Sequence, residues 1–214
     1  MTWYLITEHP VAVNSYDHID SQIQDVDLSY NLTFNEKLRQ VAPGATVLDI
    51  GCGAGSFVRT LLAEGVEAVG LEGSDIFSQR KISAWAEVPD HLFTCDVTMP
   101  FTLHQGDAQP HRFDVVTAWE FVEHIEEQDL RGVWANIRQH LRPGGLFIVS
   151  TPSNIYRPPK RRLDHHRTRK NRRWWEKTIT AAGFARSIGY ETYFAPDWVR
   201  RGGVQMVFTR NADG

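Results

Sequence analysis

Residues 119–125 read WEFVEHI, so two glutamates and a histidine stand within a short, mostly apolar run. If the run is helical, Glu120, Glu123 and His124 occupy positions i, i+3 and i+4 and share one face. Such a face suits three roles: a solvated edge, an acid–base site, or a metal site. Upstream, DIGCGAGSF at 49–57 sets Gly51, Gly53 and Gly55 at alternate positions. Glycines let the backbone turn tightly and approach a ligand closely, although a plain strand-to-helix turn uses them too. A dinucleotide fingerprint would have glycine where Ser56 stands, and the lysine of a P-loop is missing, which disfavours phosphoryl transfer. Asp49 and Glu72 each end an apolar stretch, and an acidic residue about 20 positions beyond such a loop is placed to hold ribose hydroxyls.

The rest of the chain must position these groups. Its 214 residues with 42% hydrophobic content suffice for one domain with a substantial core. Apolar runs alternate in type. TVLDI, EAVGLE, HLFTCD, FDVVTAW and GLFIVST read as strands; residues 30–42, SFVRTLLAEG, DIFSQRKISAWAE, DLRGVWANIRQHL and WWEKTITAAGF read as helices. TMPFTLHQGDAQPHR reads as a loop, and ARSIGYETYF with VQMVFTR as a closing strand pair. The fold class this predicts is α/β, a Rossmann-like, doubly wound, mainly parallel sheet with a C-terminal antiparallel strand. In such a sheet ligands bind beyond the carboxyl ends of the strands, near the switch point. Both the glycine loop and WEFVEHI follow strands.

VLDIGCGAGSFVRTL, VGLEGSD, FTCDV, FDVVTAWEFVEHI and LRPGGLFIVSTP occur in that order, and together they resemble the class I S-adenosylmethionine-dependent methyltransferases over about residues 45–152. The resemblance implies S-adenosyl-L-methionine as cofactor. It implies that Gly51, Gly53 and Gly55 pack against the cofactor's methionine and sugar, with Asp49 shaping the loop. Glu72 would bind the ribose hydroxyls, Asp96 the adenine amino group with Val97 beside the ring, and Trp119 would line the pocket. Glu120-x-x-Glu123-His124 is similar to a pattern shared by the ubiquinone-pathway O-methyltransferases and the 2′-O-methyltransferases of small-RNA 3′ ends. There it implies a divalent cation, Mg²⁺ or Mn²⁺, facing the transferable methyl. The RNA enzymes add a distal histidine in a DH pair, for which Asp164-His165 stands here, with His166 as alternative. The metal ligands expected are therefore Glu120, Glu123, His124 and His165. In a metal-free reading, His124, His165 or His166 serves as general base.

Residues 157–173 hold nine Lys/Arg and one Asp, about +8 in a chain of net charge −3, so the remainder is about −11. With Tyr156, Trp174 and Trp175 this segment suits either a nucleic acid or a lid over an anionic small substrate. The overall pI of 6.3 favours the second. Tyr16, His18 and Tyr30 belong to an N-terminal segment that either caps the cofactor or covers the domain edge. Trp85 and Trp134 are expected in the core, as are Cys52 and Cys95, too few for a disulfide scaffold. No span of bilayer length and no secretion signal is evident, so a cytoplasmic location is expected. The expected organisation is an N-terminal cap at 1–44 and a methyltransferase domain at 45–214 with a basic insertion at 153–173. The expected reaction is O-methylation of a small-molecule or sugar-like acceptor. RNA ribose 2′-O-methylation, or cofactor binding without methyl transfer, are the alternatives. Composition leaves the oligomeric state open.

Overall fold

The computed structural model describes residues 2–13, 30–106, 109–152, 166–200 and 203–212. Strands β2 (Thr46–Ile50), β3 (Glu67–Glu72), β4 (Leu92–Thr94), β6 (Phe113–Trp119), β7 (Leu141–Pro152), β8 (Phe184–Arg186) and β9 (Gly203–Arg210) form one sheet in the order β4-β3-β2-β6-β7-β9-β8. The first five pair in parallel, whereas β9 runs antiparallel to both β7 and β8. This is the doubly wound, mainly parallel sheet that the alternating pattern predicts. Successive residues point to opposite faces. Leu48 and Ile50 thus join one core with Val116 and Ala118, while Val47 joins the other with Val115 and Trp119.

The two cores are closed by different helices. α5 (Leu130–His140) and α6 (Arg172–Ala181) cover the first, contributing Leu130, Val133, Trp134, Ile137, Trp175 and Ile179. α1 (Leu32–Val41), α2 (Ser56–Ala63) and α7 (Ile188–Phe194) cover the second, where Phe34 touches the rings of Phe57, Trp119 and Phe194. Asn31 caps α1 through its side-chain oxygen and also donates to the carbonyls of Asp197 and Trp198. The Lys37–Asp197 ion pair at 2.7 Å adds to that tie between the N-terminal helix and the C-terminal part. Among the described residues no helix is long and apolar enough to cross a membrane.

Four local expectations need correction. DIFSQRKISAWAE is two short helices, α3 (Ile76–Arg80) and α4 (Ala84–Glu87), because Lys81 and Ser83 take positive φ and the Ala84 amide donates to Ala54 of the glycine loop. Tertiary contact overrides helix propensity there. Within TMPFTLHQGDAQPHR, Phe101–Gln105 is strand β5, paired antiparallel with β1 (Trp3–Thr7) at the far end of the sequence. Its inward residues Phe101 and Leu103 are buried. In ARSIGYETYF only β8 is extended. The rest is α7, turned so that Phe194 fills the core and Glu191 accepts from Arg186 and Arg172. WEFVEHI is not an α-helical face either. Glu120 takes φ +49, and Val122–His124 is a single 3₁₀ turn.

A candidate active site at the carboxyl ends of β2 and β6

The connections change side at β2: the chain proceeds from β2 outward to β3 and β4, then returns to β6 on the other side of β2. Both flanking loops meet at that crevice. Gly51, Gly53 and Gly55 all have positive φ. A β-carbon on Gly51 would lie 2.3 Å from the Phe121 ring, so the absence of a side chain is what lets the 119–125 segment close onto the glycine loop. The sequence motifs are thereby neighbours in space. The Gly53 amide donates to Glu72 Oε2 at 2.9 Å and the Ser74 amide to Oε1 at 3.1 Å, which fixes the carboxylate beside the loop. Trp85 Nε1 donates to the Gly53 carbonyl at 2.9 Å, a support that the core assignment of this tryptophan did not anticipate.

Asp49 is buried behind the loop, where Thr117 Oγ1 of β6 donates to it at 2.6 Å. Asp96 Oδ1 accepts from the amide and hydroxyl of Thr98, at 3.0 and 2.6 Å, and so shapes the turn after β4. Val97 is buried, and its carbonyl, with that of Met99, accepts from Asn136 of α5. Trp119 is packed edge-on against Phe34 and Phe57. Cys52 and Cys95 are buried, and burial pushes the Cys95 thiol up to about 12, which makes it a poor nucleophile.

The acid–imidazole group follows Phe121, whose ring meets Gly51 of the loop. Glu123 is 2% exposed, and neither of its carboxylate oxygens has a hydrogen-bond partner among the described residues. Its Oε1 is 4.0 Å from His124 Nε2, and one ligand atom each of Glu123, His124 and His166 lies within 4.8 Å of the others. The two imidazoles meet edge to face at 5.1 Å between centroids. Glu120 Oε1 is likewise buried without a hydrogen-bond partner among the described residues. Burial holds the Glu123 carboxyl well above the usual carboxylate range, and the neighbouring Glu120 charge adds to that. Burial also raises Glu120, opposed by the Ser150 hydroxyl, Arg200 and His166. Of the later histidines, His166 is the one found here; His165 lies outside the described residues, as do Asp164, Tyr16, His18 and Tyr156. Tyr30 is exposed at the edge of the described chain.

A small solvent-open cleft adjoins this cluster and is lined by Glu123, Thr151, His166, Thr168, Arg169 and Trp175 among others. Thr151, at the end of β7, had no signal in the sequence, because the cleft it lines is created only by the fold. Its buried hydroxyl has no hydrogen-bond partner among the described residues.

The surrounding chain has clear kinship. The ubiquinone biosynthesis O-methyltransferase of Vibrio cholerae serotype O1 is 31% identical over 109 residues, 50% of this chain and 42% of that protein. A dTDP-4-amino-2,3,4,6-tetradeoxy-D-glucose N,N-dimethyltransferase of Saccharopolyspora spinosa is 31% identical over 110 residues, 49% of this chain and 39% of that one. This chain thus spans less than half the length of each of these two relatives. The crystal structure of a TehB-like SAM-dependent methyltransferase from Corynebacterium glutamicum shares the fold, with TM-score 0.61 at 18% identity over 83% of this chain and 87% of that one. The profile of the family described as a methyltransferase domain matches residues 27–193, most of the chain. With the switch-point loop, the acidic strand ends and the sheet order all present, the chain belongs to the class I S-adenosylmethionine-dependent methyltransferases.

Proposed function

We propose that the chain transfers the methyl group of S-adenosyl-L-methionine to a hydroxyl oxygen of a small-molecule or sugar-like acceptor, at a site where Glu123, His124 and His166 hold a divalent cation such as Mg²⁺ or Mn²⁺. The observation that carries this reading is Glu123, a buried carboxyl group with no hydrogen-bond partner for its side chain among the described residues, grouped with the imidazoles of His124 and His166. Buried carboxylates are normally hydrogen-bonded, paired or bound to metal. A mixed oxygen and imidazole donor set suits Mg²⁺ loosely and Mn²⁺ well. Such a cation, when bound, supplies a Lewis acid that lowers the pKa of an acceptor hydroxyl.

The chain's own residues do the rest. In this reading the glycine loop receives the methionine and sugar of the cofactor, Glu72 accepts from the ribose hydroxyls, and Asp96 with Val97 receives the adenine. Thr151 and the rim of the cleft orient the acceptor, so that its oxygen faces the sulfonium methyl in line, where positioning supplies much of the rate. Glu120, near enough for its charge to raise Glu123, adds negative potential for the cation. Among the relatives named above, one acts on oxygen and one on an amino sugar, so oxygen rests on the acid–imidazole set rather than on kinship. The RNA alternative draws on the basic segment. Against it, Arg167, Lys170 and Arg172 pair with Glu126, Glu127 and Glu191 at 3.8, 2.6 and 2.5 Å, which neutralises much of its described part.

The test is calorimetry with S-adenosylhomocysteine, followed by methyl transfer from labelled cofactor to extract fractions. EDTA should suppress transfer and Mn²⁺ restore it, with cofactor affinity unchanged. Full transfer in EDTA would exclude the cation. Cofactor binding with no transfer to any fraction would favour a binding protein.

A further inference from the structure

The geometry points to Thr168 as a positioning residue, whose buried hydroxyl clips residues 166–170 onto the 122–125 turn and so holds the His166 imidazole against His124 and Glu123. The inference rests on the reading of these three residues as a cation site. It concerns a residue that lines the cleft and acts here through His166 rather than on the cation.

Hydrogen bonds join the two segments. The amides of Arg167 and Thr168 both donate to the Glu123 carbonyl, at 2.8 and 2.9 Å, and Thr168 Oγ1 donates to the Ile125 carbonyl at 2.7 Å. A short 3₁₀ turn leaves its last carbonyls without partners of its own, and the strap satisfies two of them. Thr168 is 2% exposed, so its bond is shielded from competing water. Further links include the ion pairs Arg167–Glu126 and Lys170–Glu127, between side chains that are a third to just over a half exposed. Exposed pairs of this kind contribute little and are screened by salt. Among these bonds the shielded ones are the backbone pair and the threonine hydroxyl, and of these the hydroxyl is the one a side-chain substitution removes. His166 stands two positions before Thr168, so any slack at the clip passes straight to the imidazole. Threonine suits the place better than serine alone would suggest, because its branched β-carbon restricts χ1 and keeps the hydroxyl aimed.

The experiment compares wild type, Thr168→Val, Thr168→Ser and His166→Ala in the full chain. The first readout is the nuclear Overhauser contact between the His124 and His166 ring protons without added metal. The second is Mn²⁺ affinity from electron paramagnetic resonance. Wild type and Thr168→Ser should show the ring contact, and Thr168→Val should lose it while the β2 and β6 amide shifts stay in place. Mn²⁺ should bind roughly 10- to 100-fold more weakly to Thr168→Val, the usual effect of removing an outer-shell partner. Thr168→Ser should stay within about twofold, on the same scale. A ring contact that persists undiminished in Thr168→Val overturns the inference whatever Mn²⁺ does. So does a global loss of the sheet shifts in that variant, since the role requires a change confined to the site. If wild type and His166→Ala take up Mn²⁺ equally, or neither binds it, the cation reading fails, while the ring contact still decides the role of Thr168.

Discussion

At the residue scale, Glu123 carries opposite consequences for stability and for function. Its carboxyl has a folded-state pKa raised by burial and by Glu120. A raised pKa means that the protonated form is favoured in the folded state, so its contribution is intact below the unfolded value of about 4.3 and is lost as pH rises through the folded value. Without metal, Glu123→Gln should therefore melt higher than wild type at pH 7, and the gap should close toward pH 4. With Mn²⁺ the order should reverse, because only wild type gains stability from the bound ion. Thermal melts with EDTA and with Mn²⁺ across pH check both halves; a variant less stable than wild type in EDTA at pH 7 would contradict them. Glu72 and Gly53 form a second test. Gly53 takes φ +52 and donates to Glu72, so Gly53→Val should both strain the loop and abolish S-adenosylhomocysteine binding. Glu72→Ala should weaken that binding by about 1.5–3 kcal/mol for each charge-assisted bond lost. Calorimetry reads both, and unchanged affinity would remove the cofactor role assigned to this loop.

At the element scale, α5 supports the site from behind. Asn136 donates to the Val97 and Met99 carbonyls at 2.9 and 2.8 Å, bracing the segment proposed to hold the adenine. Asn136→Leu should destabilise the chain by about 2–3 kcal/mol, since buried carbonyls lose their donor, and should lower cofactor affinity although the residue lies outside the pocket. Chemical denaturation and calorimetry measure the two effects. One turn on, His140 is buried against the Phe101 ring, stacked at 4.3 Å, and burial lowers its pKa to about 4. A depressed pKa contributes stability that is present above the unfolded value of about 6.5 and is lost as pH falls toward 4, up to about 3 kcal/mol. His140→Phe should flatten the acid limb of the stability curve between those values. An acid limb as steep as that of wild type would place its source elsewhere.

At the scale of the whole molecule, charge is strongly segregated, with about +8 in residues 157–173 against about −11 elsewhere. If that segment serves an anionic acceptor, replacing Arg161, Arg162, Arg172 and Arg173 with Gln should raise KM for it and leave cofactor affinity unchanged. Arg172 carries a separate cost, because its ion pair with Glu191 links α6 to α7. A variant that keeps Arg172 isolates the electrostatic effect. Tight RNA binding that falls steeply with salt would instead restore the nucleic-acid reading.

The sequence by itself determined the sheet, its parallel core and the identity of the glycine loop, since these are written in local signals. Strand periodicity, Gly-rich turns and acidic strand ends such as Asp49 and Glu72 are legible within windows of a few residues. The types of residue at the acid–imidazole group were legible for the same reason. Its geometry was not. Glu120 and Glu123 share a face only if the run is helical, and it is not: Glu120 leaves β6 with positive φ, its amide bonded back to Ser150. The β1–β5 pair, the break at Lys81–Ser83 and the helix α7 were likewise hidden, for each is settled by a partner distant along the chain. Where side-chain pattern and local propensity agree, sequence suffices; where a contact across the fold outweighs propensity, only the packed structure can decide. His166 is the sharpest case. The DH resemblance ranks His165 first, with His166 as the alternative; the bonds of Arg167 and Thr168 to the 122–125 turn bring His166 against His124, while His165 lies outside the described residues.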